Sequence, residues 1–373
     1  MKRKQKSKQK NNRKPRALVP AQDSYYELEV IPGLAEFAQA ELQEQTRARL
    51  LPSAREDRVR FQYAGKPRKL LRLRQAVAVH VVKPFAVPRP KALLGHQNLE
   101  SLVSAIKEVM ALHPAGSFET FHISAAGSGS SVFARIKAEI EGRTGFKSTE
   151  EAGHVLLAVR RPQRLSSAAV GWEVALRLSP RPLSARAWRV CDMPGALNAT
   201  VASAMMRLTQ PSPTDRVVNL ACGSGTLLVE RLALGAARRA IGCDVDARAL
   251  ACAQENLAAS GRADAMTLLR CDAGRAPLPA GCATTACVDL PFGMLVGSHQ
   301  SNEQLYPRLL AEAGRLVTTR GVMVVITQEL RLFERVAAAQ GERWTVMRTI
   351  SIKLPANTRA GIIRPRIYLL RRR

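Results

Sequence analysis

Val217-Val218-Asn219-Leu220-Ala221-Cys222-Gly223-Ser224-Gly225-Thr226 is the stretch that decides the fold. A short apolar run ends in a glycine-rich turn, and apolar residues at helical spacing follow from Thr226 to Leu234. This is a buried strand, a tight loop and a helix start. The same alternation continues. Ala240–Cys243, Met266–Cys271, Thr285–Val288 and Val322–Thr327 read as strands, and Ala247–Ala259 as a helix capped by Asp246. Two late strand-like runs, Thr345–Lys353 and Ile367–Leu370, close the chain. Alternation of this kind predicts a parallel sheet with helices on both faces.

The loop residues suit a ligand. Glycines at 223 and 225 let backbone come close, and helix-start N–H groups attract an anion. Asp244 ends the next strand, where a carboxylate can accept from ribose hydroxyls, and Asp272 ends the one after. Taken singly, either acid could instead cap a helix or form a turn. A dinucleotide fold would carry a third glycine where this chain has Leu228. Downstream, Asp289-Leu290-Pro291-Phe292-Gly293 follows the strand ending at Val288 and precedes a helix around Asn302–Val317. A carboxylate, a fixed carbonyl and an aromatic ring can accept from an amine and stack on a flat base. In a sheet ordered 3-2-1-4-5 the glycine loop and Asp289 end neighbouring strands, so both face one crevice.

Composition narrows the partner. The 373 residues carry a formal charge of +27 with an ordinary 46% hydrophobic fraction, which favours a polyanion, most simply nucleic acid. No apolar run of membrane-spanning length occurs, and the charged start is unlike a secretory signal, so a cytoplasmic protein without a membrane partner is expected. The seven cysteines lie at or beyond Cys191 with no CxxC pair, which predicts reduced thiols, and the scattered histidines predict no metal. Residues 1–16 hold nine Lys or Arg and no acid, the pattern of a disordered arm that follows phosphates.

The front half reads as two α/β units. Tyr25–Val30 is a strand, and Pro32-Gly33 begins a helix with Leu34, Phe37, Ala38 and Leu42 on one face. Residues 57–63 form a strand, and Leu70–Val82 a helix or strand; the proline-rich run Lys83–Pro90 ends this unit. In the second, Leu99–Leu112 and Phe133–Glu141 are helical. Ser117–Ser124, His154–Val159 and Trp172–Leu178 are strands. Arg181-Pro182-Leu183-Ser184 is a linker, and Pro194–Leu208 carries a further helix.

The glycine loop, the two strand-end acids and Asp289-Leu290-Pro291-Phe292-Gly293, followed by Leu305-Tyr306-Pro307, resemble the THUMP-domain tRNA guanine-N2 methyltransferases. Pro32-Gly33-Leu34 and Pro194-Gly195-Ala196-Leu197-Asn198 agree with that family. The resemblance implies a disordered tail over 1–22, a ferredoxin-like domain over 23–90 and a THUMP RNA-binding domain over 91–180. A linker with the start of an entry helix would span 181–200, and a Rossmann-like class I methyltransferase domain with a late antiparallel strand 201–373. It implies S-adenosylmethionine as methyl donor, held by Asn219, Ala221, Gly223, Ser224, Gly225, Thr226, Asp244, Val245, Asp272, Ala273 and Asp289. Asp289 and the Leu290 carbonyl would accept from the guanine amine while Phe292 stacks on the base. Asn219 and Leu290 depart from the wider amine-methylating pattern, which has Asp and Pro there. The implied partner is tRNA, gripped at its 3′ end and modified in the acceptor stem at position six. Position ten, ribosomal RNA, adenine N6 or a non-catalytic RNA-binding role stay open, as does the oligomeric state, for which a monomer suffices.

Overall fold

The computed structural model describes residues 24–162, 171–293, 297–355 and 361–373. The basic arm expected over residues 1–22 lies outside them. The front of the chain forms β1 (Ser24–Glu29), α1 (Ala35–Gln45), β2 (Arg49–Leu51), β3 (Arg58–Tyr63), β4 (Ala78–Phe85) and α2 (His96–Met110). It continues through β5 (Thr120–Ser124), α3 (Ser131–Thr144), β6 (Lys147–Ser148), β7 (Val155–Arg160) and β8 (Trp172–Arg177). The run from Leu70 to Val82 divides. Leu70 and Leu73, three apart, are buried along a short 3-10 turn at Pro67–Arg72, and only from Ala78 does the chain extend into β4.

These eight strands make one sheet, ordered β2-β3-β1-β4-β8-β7-β5-β6. The seam is the antiparallel pairing of β4 with β8, His80 opposite Arg177 through Phe85 opposite Trp172. A cross-strand charge ladder spans it. Buried Glu27 and Glu173 both meet Arg160, at 2.7 and 2.9 Å, and Arg60 reaches Glu173 at 2.7 Å. Burial, with Arg58, Arg160 and Arg177 nearby, drives the His80 imidazole down to about 3, so this histidine stays neutral.

The second sheet begins after α4 (Ala199–Leu208). That helix starts later than Pro194 because the Asn198 side chain caps it, accepting from Thr200 N–H at 2.9 Å. There follow β9 (Arg216–Leu220), α5 (Thr226–Ala233), β10 (Arg239–Asp244), α6 (Ala247–Ala259), β11 (Thr267–Arg270), β12 (Ala283–Asp289) and α7 (His299–Leu316). Next come β13 (Val317–Thr327), α8 (Leu330–Ala339), β14 (Trp344–Ser351), the small pair β15 (Leu354–Pro355) and β16 (Ile362–Ile363), and β17 (Arg366–Arg372). The order β11-β10-β9-β12-β13-β17-β14 is parallel from β11 to β13, and β17 is antiparallel to both its neighbours. Asp246 caps α6 as expected, accepting from Arg248 N–H at 2.9 Å. Helix α5 packs tightly on β10: a Cβ placed on Gly242 would lie 2.8 Å from Leu228 and 3.0 Å from Leu268. Among the described residues no helix is long and apolar enough to cross a membrane.

Two features fix the connecting segment, and the first also joins the halves. Glu230 of α5, wholly buried, receives Arg74 from the front half at 2.7 and 3.0 Å, Arg186 of the connecting segment at 3.0 Å and the Trp188 indole N–H at 3.3 Å. Exposed pairs also cross between the halves: Glu36 with Arg348, Glu44 with Arg207, Glu56 with Lys353. Second, Cys191 and Cys252 are disulfide-bonded, which corrects the expectation of reduced thiols throughout. The cause is Asn256, one turn further along α6. Its Oδ1 accepts from Val190 and Cys191 N–H at 3.0 Å each, and its Nδ2 donates to the Cys191 carbonyl at 2.9 Å. That clamp lays Cys191 on the helix beside Cys252.

Removing the Glu230 charge strands the buried Arg186 guanidinium and leaves the partly exposed Arg74 without its partner. Glu230→Ala should cost about 3–5 kcal/mol in urea unfolding. Glu44→Ala on the exposed rim should cost at most about 1 kcal/mol.

Candidate active site at the ends of β9 and β12

Strand β12 pairs with β9 in parallel, Cys287 opposite Asn219, so the turns after both strands open at the same sheet edge. After β9 the chain turns through Ala221 at φ 49°, a left-handed conformation uncommon for a residue with a side chain, and Gly223 at φ 53°. Space is open where a Gly223 Cβ would sit, whereas a Cβ on Gly225 would press on Ala253 at 3.2 Å. The Asn256 amide also fixes this turn by donating to the Ser224 carbonyl at 3.0 Å. Arg189 donates to the Thr226 hydroxyl at 3.0 Å, tying the connecting segment to the start of α5.

The acids take two kinds of post. Asp244 accepts from the Gly223 N–H at 2.9 Å and the Asp246 N–H at 3.0 Å, one to each oxygen, and so braces the glycine turn from the neighbouring strand. Val245 beside it is exposed despite its apolar side chain. Asp272 is exposed too. The Gly274 N–H, at 2.8 Å, and the Arg308 guanidinium hold its carboxyl below the usual range. It therefore makes a turn and an ion pair, and any ligand would share it with Arg308. Ala273 is buried behind it.

Asn219 is buried in the middle of this edge. Its Nδ2 donates to the Cys287 carbonyl at 3.0 Å and the Leu220 carbonyl at 3.3 Å, while its Oδ1 has no partner among the described residues. A buried amide oxygen without a donor is costly, and an ammonium would satisfy it. With the open space at Gly223 and the braced Asp244, the residues fit an amino acid joined to a ribose.

The second turn is held by its middle. The Pro291 carbonyl accepts from Asn302 Nδ2 at 2.9 Å and from the Tyr306 hydroxyl at 2.7 Å. Tyr306 also shares a 2.8 Å contact with Thr327 and is buried. The Leu290 N–H bonds Ile326 across to β13 at 3.1 Å, and the Leu290 side chain is buried. Phe292 is half-buried against the core cluster that includes Leu227 and Cys287. Asn302 and Tyr306 carry the turn; neither has a role assigned from the sequence, where Tyr306 figures only within the Leu305-Tyr306-Pro307 motif.

Asp289 has no hydrogen-bond or ion-pair partner among the described residues, and burial alone pushes its carboxyl up to about 7. An acid with such a value and no partner among the described residues, at the end of the strand paired with β9, is a site signature. The thiols of Cys222, Cys243 and Cys287 are pushed far up by burial and are poor nucleophiles. No group of His, Cys, Asp or Glu suited to a metal occurs among the described residues.

The Asp289 shift has a stability consequence. An unfolded Asp289 ionises near 3.8 and the folded one near 7, so the folded state keeps a proton that the unfolded state has lost between those values. Stability falls as pH rises through that window. Asp289 keeps a partly accessible edge, which discounts the size of the effect. Asp289→Asn should match wild type near pH 4.5 and exceed it by on the order of 2 kcal/mol at pH 7.5 in urea unfolding. An equal difference at both pH values would contradict the shift.

Comparison with known proteins agrees with this architecture. Residues 186–357 match the family model UPF0020, described as RMKL-like, methyltransferase domain. The crystal structure of TrmN from Thermus thermophilus superposes with a TM-score of 0.69 over 94% of this chain and 100% of that one, at 22% identity. Among curated sequences, a tRNA (guanine(6)-N(2))-methyltransferase THUMP3 of Bos taurus is 27% identical over 48% of this chain and 37% of its own length. A tRNA (guanine(6)-N2)-methyltransferase of Thermus thermophilus is 29% identical over 54% of this chain and 64% of its own length. The chain thus spans little more than a third of the bovine relative and under two thirds of the bacterial one. The fold is that of a class I methyltransferase with a TrmN-like front half, and the sequence match to a methyltransferase domain covers residues 186–357.

Proposed function

We propose that this protein methylates the exocyclic N2 amine of a guanosine in tRNA, in the acceptor stem at position six, with S-adenosylmethionine as donor. One observation carries the reading: Asp289, at the end of the strand paired with β9, has no hydrogen-bond or ion-pair partner among the described residues, on a turn whose Pro291 carbonyl is anchored by Asn302 and Tyr306. The guanosine substrate is supported by the relatives named for that reaction. A TrmN-like front half on a chain of charge +27 supports the RNA. The cytoplasm, where tRNA is abundant, is the matching compartment.

When bound, the donor supplies a methyl group on an electrophilic sulfonium centre, so placing the amine is most of the task. Asn219 Oδ1 would accept from the donor's ammonium and Asp244 from its ribose. Val245 and Ala273 would flank the adenine, with Asp272 at its edge. Guanine N2 is a weak nucleophile because its lone pair is spread into the ring. Asp289 and the Leu290 carbonyl would orient that amine by accepting its two N–H groups, and Asp289 would take the proton released on transfer. Phe292 would stack on the base and offset part of the cost of lifting it from a stem.

Asp289 must be ionised to accept both the hydrogen bond and the proton. Because its carboxyl sits near 7, kcat/KM should rise with pH and level off above about 7.5. Asp289→Ala should lower turnover at least about a thousandfold while calorimetry finds donor affinity within about threefold of wild type. Equal loss of donor binding would remove Asp289 from this role. The decisive experiment is incubation with bulk tRNA and labelled donor, followed by mapping of the modified nucleoside. Label in adenosine, or none in RNA, would defeat the proposal.

A further inference from the structure

A groove of about 490 Å³ runs between the front half and the connecting segment, along Leu71–Arg74 on one side and Ser179–Leu183 with Ala185–Ala187 on the other. Four arginines line it, Arg72, Arg74, Arg181 and Arg186, and no carboxylate is among the lining residues. The four divide by what they do. Arg186 is buried, donating to the Arg74 and Leu183 carbonyls and to Glu230. Arg74 spends its fork on Glu230. Just outside the lining, buried Arg177 shapes the opposite wall, donating to the Ser179 carbonyl at 2.8 Å and the Pro180 carbonyl at 2.5 Å. These groups build the groove.

Arg72 and Arg181 do not. Both are exposed, and neither guanidinium has a hydrogen-bond or ion-pair partner among the described residues. Beside Arg72 the same 3-10 turn exposes Lys66, Arg68 and Lys69, held outward by the buried Leu70 and Leu73. Two unpaired guanidiniums in the lining of a groove with no lining carboxylate, continued by a basic ridge, suit a chain of repeated phosphates better than a single compact anion. The contrast is the groove beside α7. There a carboxylate, Glu312, is among the lining residues; Arg315 is saturated by it and by the Leu278 and Ala276 carbonyls, and Arg308 is paired with Asp272. Arg372 donates to the Gly314 and Arg343 carbonyls, and of the four arginines Arg343 alone is exposed without a side-chain partner among the described residues.

We infer that this groove is a phosphate clamp: Arg72 and Arg181 grip the RNA backbone where it passes from the front half to the pocket beyond Asp289. The inference rests on the RNA reading above and adds a site to it. Because Arg74 and Arg186 are locked to Glu230 of α5, the clamp is fixed in distance from the glycine turn that opens the same helix.

The test is RNA binding by the full chain in fluorescence anisotropy with bulk tRNA, across a salt series, for wild type, Arg72→Ala/Arg181→Ala, Arg72→Lys/Arg181→Lys and the control Arg343→Ala. The alanine pair should bind at least about tenfold more weakly, with a salt slope reduced by about two, and the lysine pair should recover most of the affinity. Donor affinity and the thermal midpoint should stay at wild-type values in all variants. Wild-type affinity and slope in the alanine pair would overturn the clamp and leave the RNA reading standing, as would an equal loss in Arg343→Ala, which would mark bulk charge alone. Donor binding with no RNA binding by the wild type would overturn both.

Discussion

The parallel pairing of β12 with β9 is the constraint on which the candidate pocket depends. Strands that run the same way end at the same edge, so whatever follows each of them is delivered to one place. Here a glycine turn follows one and an acidic turn the other, although Gly223 and Asp289 are far apart in the chain. Asn219 makes the pairing more than geometric. Its amide donates across the strands to the Cys287 carbonyl and leaves its oxygen for something else.

The acidic turn is prepared before any ligand arrives. Tyr306 and Asn302 pin the Pro291 carbonyl from α7, and the Leu290 N–H is stitched to β13. Asp289 is left between these fixed points without a counter-charge among the described residues, in a chain with a large excess of arginine and lysine. Such an arrangement costs stability in the empty protein. Pockets that do chemistry commonly carry local cost of that kind, offset by the packing around them.

Much of the second half could be read from the chain. Strand and helix alternate there with little interruption, and the order 3-2-1-4-5 follows from that pattern because connections are short and right-handed. The Asp246 cap was legible for the same local reason. What escaped is what depends on distant partners. The seam between β4 and β8 joins residues about ninety positions apart, and nothing near either strand announces it. Glu230 gave no sign of its three donors, since a lone glutamate on a helix is ordinarily solvated. The Cys191–Cys252 bond needed Asn256 to bring its ends together. Of the site residues, the two acids at 244 and 272 already had a turn-forming reading. The structure gives both of them that work alongside whatever they do for a ligand.

Gly242 explains why one familiar signature is missing. Dinucleotide folds place a glycine on the helix so that it can approach the strand beneath it. In this protein that helix position is Leu228, and the missing bulk is subtracted from the strand instead, at Gly242, directly under the leucine's methyl group. Two surfaces can come equally near whichever of them gives way. A motif search along one line of text sees a gap where the three-dimensional fit has merely changed sides, and enlarging Gly242 would press on the Leu228, Leu268 and Cys222 side chains.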